Sequence, residues 1–522
     1  MTNEAHSSIR HSSFVILPLA LCFAGKYETP MHPSLRTRRS FLRDLALGMT
    51  AAPWVTRGLL AQSPNSIIHH ASFGCAGMAM SDVTSISKHA AVKIVAGCDV
   101  DEKRTVEFRK KFPEARIYSD FRELLEKEKD LQTVNVSTPD HMHAPIGVSA
   151  LNCGLHVYGQ KPLAHDLYEV RRMTEIAREK KRFTQMGIQI HSGSDYRTAC
   201  KLIQDGAIGK VKEVHTWSSK KWGDNGPMPA KTDPAPELAT ALPPELEAAR
   251  GIVKRHDSGE HVDAAAYHDA MNTLVKLGDS HLLNWDLWLG VASERPFIGG
   301  GWYHPGNWRK RLDFGTGTFG DMGCHIYDPV FKALALTAPL SVHSSGPKPN
   351  EHSWATNAVI DYVFPGTAYT EGATVRVVWY DGDERPPKDV QDTAKIVKGE
   401  KGKSLPDQGS IFLGTNGVMI LPHIAQPRLV GEEVESRKIE KVEGESHWNQ
   451  FIETVRGNRP KADANWDYAG PLTEAVLLGS VATRFPKTML EWDAAALKFT
   501  NVAEANAFVK CTYRAGREVA GL

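Results

Sequence analysis

Between residues 66 and 190 the apolar positions come in short blocks, each closed by a glycine, a polar pair or an acid. Ile67–Phe73 is an apolar run interrupted by His69 and His70, and the turn Gly74-Cys-Ala-Gly-Met-Ala79 follows it. Asp82–His89 has helical spacing, and Val92–Cys98 is a second apolar run that stops at Asp99. The alternation continues with a helix over Thr105–Phe112, a strand over Ala115–Tyr118, a helix over Phe121–Lys127 and a strand over Thr133–Val136. A helix over Ile146–Cys153 and a strand over His156–Tyr158 complete the series. Blocks of this length alternating with helical stretches predict a parallel sheet wound on both faces.

The pattern changes after Phe183–His191, which reads as a crossing into a second domain. Tyr196–Asp205 has helical spacing, and Val211, Glu213, His215 and Trp217 alternate as in a strand with one face buried. A proline-rich and then polar stretch over 225–282 is too long for a simple loop and is read as an insertion or lid. Strands are predicted at Ala355–Phe364, Thr374–Tyr380, Ser410–Leu413 and Val418–Leu421, with Thr415-Asn-Gly417 as a tight turn between the last two. Asp381–Pro406 is charged and glycine-rich, a surface excursion, and His447–Arg456 and Leu472–Thr483 return as helices. The expected division is a leader and linker at 1–65, a first domain at 66–190, a second at 191–500 and a tail at 501–522.

Composition narrows the functional classes. In 522 residues, 62 Lys and Arg balance 61 Asp and Glu, which leaves no basic footprint for nucleic acid and no polybasic membrane patch. The seven cysteines include no C-x-x-C pair and are too few for a disulfide framework, so neither a zinc ribbon nor a redox dithiol is indicated. The partner expected is a small molecule. Thr37-Arg-Arg-Ser-Phe-Leu-Arg43 followed by the mildly apolar Asp44–Val55 has the form of a twin-arginine export signal. Its apolar run is too short to span a bilayer, Met31 offers an alternative start, and Ala61 is a possible cleavage position. These features imply a folded protein carried to the periplasm.

Chemistry enters at the ends of the predicted strands. A strand, a glycine turn, a helix, a strand and an acid form the order of a dinucleotide-binding unit, in which the turn and helix N-terminus receive a pyrophosphate and the acid holds ribose hydroxyls. Gly74 supplies the tight turn; Ala76 and Ala79 stand where further glycines are usual, and Gly77 is additional. Asp99 would repel a 2′-phosphate, which favours NAD(H) over NADP(H). Ser137, Thr138, Pro139 and His143 follow one strand, and Gln160 and Lys161 follow the next, where ligands of such sheets lie. In Gly315-Thr-Gly-Thr-Phe-Gly-Asp-Met-Gly-Cys-His-Ile-Tyr-Asp328, Asp321 and His325 are four apart and share a face if the stretch is helical. A helix cap and a packed ring are the plain alternative for that pair. Trp302, Tyr303, His304 and Arg309 combine aromatic faces with hydrogen-bonding groups just upstream of it. His141, His143 and His325 also raise a metal site, but loop histidines at this spacing usually only hydrogen-bond, so no metal is expected.

The Gly74 turn, Cys98-Asp-Val-Asp101, Thr138-Pro-Asp-His141, Gln160-Lys-Pro162 and Gly320–Asp328 together resemble the glucose–fructose oxidoreductase, inositol dehydrogenase and MocA-like family, from about Ser66 onward. The resemblance implies an N-terminal Rossmann domain and a C-terminal α/β domain on an open, mostly antiparallel sheet. It also implies a tightly held nicotinamide cofactor, a sugar or cyclitol substrate and a homo-oligomer, dimer or tetramer. By the same resemblance Lys161 orients the reacting hydroxyl, His325 transfers its proton and Asp321 binds substrate. Gln160 departs from the family's usual glutamate, and Ala76 and Ala79 crowd the phosphate turn.

Cofactor contacts are thus expected at Gly74, Ala76, Gly77, Met78, Asp99, Ser137, Thr138, Pro139, His143, Gln160 and Lys161. Substrate contacts are expected at Gln189, Trp302, Tyr303, Arg309, Asp321 and His325. The reaction expected is hydride transfer between NAD and a sugar-like secondary alcohol. Two alternatives stay open: a glycosidase or epimerase that oxidises its substrate transiently with no net redox change, and a non-catalytic exported sugar-binding protein.

Overall fold

The structure, a computed structural model, describes residues 67–230, 232–233, 242–278, 282–399 and 404–522. The twin-arginine segment and the Ala61 position lie outside the described residues. Among those described, no helix is long and apolar enough to cross a membrane.

Six strands form the first sheet: β1 (Ile68–Phe73), β2 (Val92–Cys98), β3 (Arg116–Tyr118), β4 (Thr133–Val136), β5 (His156–Gly159) and β6 (Thr184–Met186). Their order is β3-β2-β1-β4-β5-β6 and every pairing is parallel. The strand order therefore reverses between β1 and β4, which opens a crevice at their carboxyl ends. The buried runs Val134, Val136, Val157 and Tyr158 show why these strands read as continuous apolar blocks: helices cover both faces. His70 is tolerated inside β1 because its ring nitrogens meet Thr133 Oγ1 at 2.8 Å and Asn135 Oδ1 at 3.0 Å. Burial lowers its pKa to about 4, so the ring is neutral.

The helix after the glycine turn runs Met78–Ile86, earlier than the 82–89 spacing suggests. It begins at once because Gly77, at φ 58°, ends the turn and aims the first free N–H groups of the helix at the crevice.

The second sheet has nine strands: β7 (Val211–Ser218), β8 (Ser341–Ser344), β9 (Val359–Pro365), β10 (Thr374–Asp381), β11 (Gln408–Gly414), β12 (Val418–Pro422), β13 (Arg428–Val430), β14 (Met489–Asp493) and β15 (Lys498–Phe499). They lie in the order β13-β12-β11-β7-β10-β9-β8-β14-β15. Among the described strands only the β7–β10 pairing is parallel, so the sheet is mixed and mostly antiparallel. β7 departs from the half-buried reading, being buried without interruption from Val214 to Ser218. The reason is the 381–406 excursion, which returns over the sheet: Val390 and Ala394 pack with Trp217, Val378 and Ile411, and the Trp217 indole N–H donates to Pro406 O at 2.7 Å.

The other face carries the helices Ser194–Gln204, Gly317–Ala333 and Trp466–Ala482, and one apolar core runs from them into the first domain. The described part of the 225–282 insertion includes a hairpin of two helices, Pro244–Asp257 and Ala264–Leu277. It packs on Val106 of the first domain through Leu246, Met271 and Leu274, and the ion pairs Arg250–Glu102 and Arg109–Asp257 fix it there. That position is on the flank of the first domain.

Candidate active site

The glycine-rich stretch around Asp321 is not a loop. It is the first half of one 17-residue helix, Gly317–Ala333. Glycine is required here by close packing: a Cβ on Gly323 would meet Phe319 at 2.7 Å and Val476 at 3.0 Å. Packing replaces the intrinsic propensity that the glycines lack. Asp321 and His325 therefore sit one helical turn apart on one face.

That face meets the loop after β5. The Lys161 ammonium donates to Asp321 Oδ1 at 2.6 Å and to the Asp321 carbonyl at 2.7 Å. The Arg309 guanidinium adds a contact to Oδ1 at 3.3 Å and stacks on Trp308 at 4.2 Å. Burial alone would raise the pKa of Asp321, but the Lys161 and Arg309 cations outweigh it and hold the carboxyl down to about 2. His325 is held well below its ordinary value, first by burial and then by the Lys161 ammonium and His423, with Asp321 acting the other way. It is a neutral imidazole at pH 7, and its Nδ1 has no hydrogen-bond partner among the described residues. A neutral ring lining a cavity next to a lysine–aspartate pair can accept a proton from a bound hydroxyl.

These groups form one wall of a cavity of about 720 Å³ that extends to the crevice between β1 and β4. Every cofactor residue named above lines it, as do Arg309, Asp321, His325 and His304. Gly74 is required at its position, because at φ +95° its Cβ would lie 2.8 Å from Ser137 O. Asp99 accepts the Cys75 N–H at 2.9 Å and the Asp101 N–H at 3.1 Å, so it ties the end of β2 to the turn. The ring nitrogens of His143 face the carbonyls of Pro162 at 2.7 Å and Thr138 at 2.8 Å, which joins the two cofactor loops.

The cavity fits a dinucleotide. The backbone at Gly77 is open, a Cβ there meeting only Arg104 Nη2 at 3.6 Å, so the cradle above the helix N-terminus is free for a pyrophosphate with a cation beside it. Asp99 stands at the ribose position.

Three candidates lie outside the cavity lining. Tyr303 is 3% exposed and packs against Phe314 and Trp285 in an aromatic cluster. Trp302 lies under the Arg311 guanidinium at 3.3 Å. Gln189 lies on the side of Asp82, behind the lining. His141 Nε2 meets Trp288 O at 3.1 Å. Sequence reasoning missed Arg104, Asp140, Trp288 and the segment Gly516–Ala520, all of which line the cavity. Asp140 had a signal, since it lies inside the Thr138–His141 motif; it accepts from Thr316 Oγ1 at 2.7 Å and so joins the two domains. The tail segment had none.

A parallel six-stranded nucleotide fold joined across a cleft to an open α/β sheet defines a two-domain oxidoreductase architecture. Comparison with known proteins agrees. Residues 68–188 match the oxidoreductase family's NAD-binding Rossmann fold, and residues 267–423 match its C-terminal alpha/beta domain, together just over half of the chain. The chain belongs to the Gfo/Idh/MocA oxidoreductase family, and its first domain is that family's NAD-binding domain.

Among curated relatives, a 1-carboxy-3-chloro-3,4-dihydroxycyclohexa-1,5-diene dehydrogenase of Comamonas testosteroni is 31% identical over 125 residues, 24% of this chain and 31% of that protein. Inositol 2-dehydrogenase of Salmonella typhimurium is 30% identical over 128 residues, 24% of this chain and 38% of that protein. Levoglucosan dehydrogenase of Pseudarthrobacter phenanthrenivorans is 25% identical over 138 residues, 26% of this chain and 35% of that protein. The chain thus matches about a third of the length of these relatives. Among solved structures, an oxidoreductase from Thermotoga maritima aligns with a TM-score of 0.50 at 15% identity, covering 81% of this chain and 100% of that one. The WlbA dehydrogenase from Bordetella pertussis, crystallised with NADH and UDP-GlcNAcA, aligns with a TM-score of 0.50 at 13% identity, covering 82% and 99%. At these identities the structures share the fold.

Proposed function

We propose that this protein transfers a hydride between NAD and a secondary alcohol of a sugar or cyclitol. The observation that carries the reading is the Lys161–Asp321 contact at 2.6 Å, with His325 one turn away, on the wall of the cavity that begins at the Gly74 turn. The polyol class is supported by the relatives named for inositol and levoglucosan.

Gly74, Gly77 and the N-terminus of the Met78–Ile86 helix would hold the pyrophosphate, with Asp99 on the ribose. When bound, NAD supplies the hydride acceptor. His325, whose ring lines the cavity, takes the hydroxyl proton as a neutral base. Lys161 stabilises the alkoxide that this leaves, and Asp321 fixes the ammonium by its two contacts. Asp321, held ionised, also accepts from a neighbouring substrate hydroxyl. The protein acts after export by the twin-arginine route, supported by Arg38 and Arg39, and as a homo-oligomer.

The test is incubation of purified protein with NAD and a panel of cyclitols, anhydrosugars and glycosides. Stoichiometric NADH formation with a polyol supports the reading. Sugar release without net NADH would replace it with the redox-neutral glycosidase, and failure to bind any nicotinamide would leave a binding protein.

A further inference from the structure

Asp82 is a buried carboxylate outside the machinery described so far. It lies on the helix of the phosphate turn and is 0% exposed. Oδ2 accepts from Gln160 Nε2 at 2.8 Å and from Ser137 Oγ at 3.0 Å, while Oδ1 accepts from the Trp448 indole N–H at 3.0 Å. The other end of the Gln160 amide, Oε1, accepts the backbone N–H of Lys161 at 3.2 Å. Asp82 thereby decides which way round the amide sits. A flipped Gln160 would set its carbonyl against the carboxylate and its NH₂ against the Lys161 N–H. The side chain has no room to move away, since even a Cβ on Gly187 would come within 2.5 Å of Gln160 Nε2. The carboxylate missing at position 160 is supplied from the opposite side of the contact.

We propose that Asp82 is a positioning residue that, with Gln160 as its relay, holds the backbone of Lys161 in the orientation from which the ammonium reaches Asp321. This rests on the reading that Lys161 faces the nicotinamide.

The chemistry of the pair gives a double-exchange test. Asp82→Asn leaves one acceptor where three donors converge, so its NH₂ must oppose either the Trp448 N–H or the Gln160 NH₂. Gln160→Glu places a second carboxylate at the contact now 2.8 Å long, where two buried carboxylates do not both ionise. In the double variant the contacts to Trp448, to position 160 and to the Lys161 N–H are paired again, and only the Ser137 hydroxyl loses its acceptor. The amide introduced at position 82 donates to the carboxylate introduced at position 160, whose second oxygen accepts from the Lys161 N–H. The amide oxygen at position 82 accepts from the Trp448 N–H.

The readout is the affinity of the full-length protein for NAD⁺ relative to NADH, by fluorescence titration. An ammonium beside the ring disfavours the cationic form, so Lys161→Met raises this ratio. Each single exchange moves it the same way by about threefold or more, and the double variant returns it to within about twofold of the wild type. A single variant that does not fold while the double variant does also supports the pairing. Single variants with the wild-type ratio, or a double variant that is not restored, overturn the proposal. A Lys161→Met ratio equal to the wild type overturns the placement of Lys161 itself, and this proposal with it.

Discussion

Replacing Lys161 by methionine removes the ammonium and keeps most of the side-chain volume. Lys161 and Asp321 have side chains only 13% and 15% exposed, so the carboxylate would lose its main partner in a site that water reaches poorly. Asp321 is held to about 2 against an ordinary 3.8 even though burial pushes it upward. That gap corresponds to about 2 kcal/mol at roughly 1.4 kcal/mol per pKa. Breaking a buried pair by deleting one partner costs about 3–5 kcal/mol, and the Arg309 contact at 3.3 Å retains part of this. The expected loss for Lys161→Met is therefore about 2–3 kcal/mol at pH 7. The sign with pH follows from linkage. In the wild type the depressed pKa gives stability that is present above about pH 4 and is lost as the pH falls toward about 2. In the variant burial dominates, so the pKa of the carboxyl rises above its ordinary value. Its protonation in mild acid removes the unpaired charge, and the deficit narrows as the pH is lowered from 7 to 4. Denaturant unfolding of both ligand-free proteins between pH 4 and 8 measures this. Equal stability at pH 7, or a deficit of the same size at pH 4 and pH 8, would refute the argument that the pair is held buried.

Four further outcomes follow from the site. His325→Asn should lower turnover by about 10²–10⁴-fold while leaving NADH affinity unchanged, as read by steady-state rates and fluorescence titration. Because burial and the Lys161 ammonium hold His325 well below 6.5, wild-type kcat/KM should stay level from pH 7.5 to 6, and a break at 6.5 would contradict the assignment. Gly74→Ala puts a Cβ 2.8 Å from Ser137 O at φ +95°, so it should weaken NADH binding by more than about tenfold, at least about 1.4 kcal/mol. Asp99→Ser removes the carboxylate that opposes a 2′-phosphate. The wild type should bind NADH more tightly than NADPH, with the variant narrowing that preference in paired titrations.

The parts of this molecule that were legible in its sequence are those whose cause is local. Glycine at 74 answers a backbone requirement of its own turn, and an acid four residues before a histidine declares its geometry as soon as the stretch is helical. The order β3-β2-β1-β4-β5-β6 follows from alternating strands and helices with right-handed crossovers. What stayed hidden depends on partners far along the chain. Asp82 looks like any helix acid until Gln160, 78 residues on, and Trp448, 366 residues on, close around it. Tyr303 and Arg309 share one aromatic, polar stretch, yet Tyr303 is 3% exposed within an aromatic cluster while Arg309 faces Asp321. Composition cannot separate them, because the difference is which side of the stretch meets Phe314. The same reasoning explains Gln160. As a local substitution it removes a carboxylate beside the key lysine and suggests a weakened site. Set against Asp82 the contact still holds one buried carboxylate, carried by the helix and not by the loop, and the amide at position 160 is its hydrogen-bond donor. The effect of a departure from a motif therefore depends on its spatial partner, and here the partner is an acid on the helix of the phosphate turn, 78 residues away from the loop that carries Gln160.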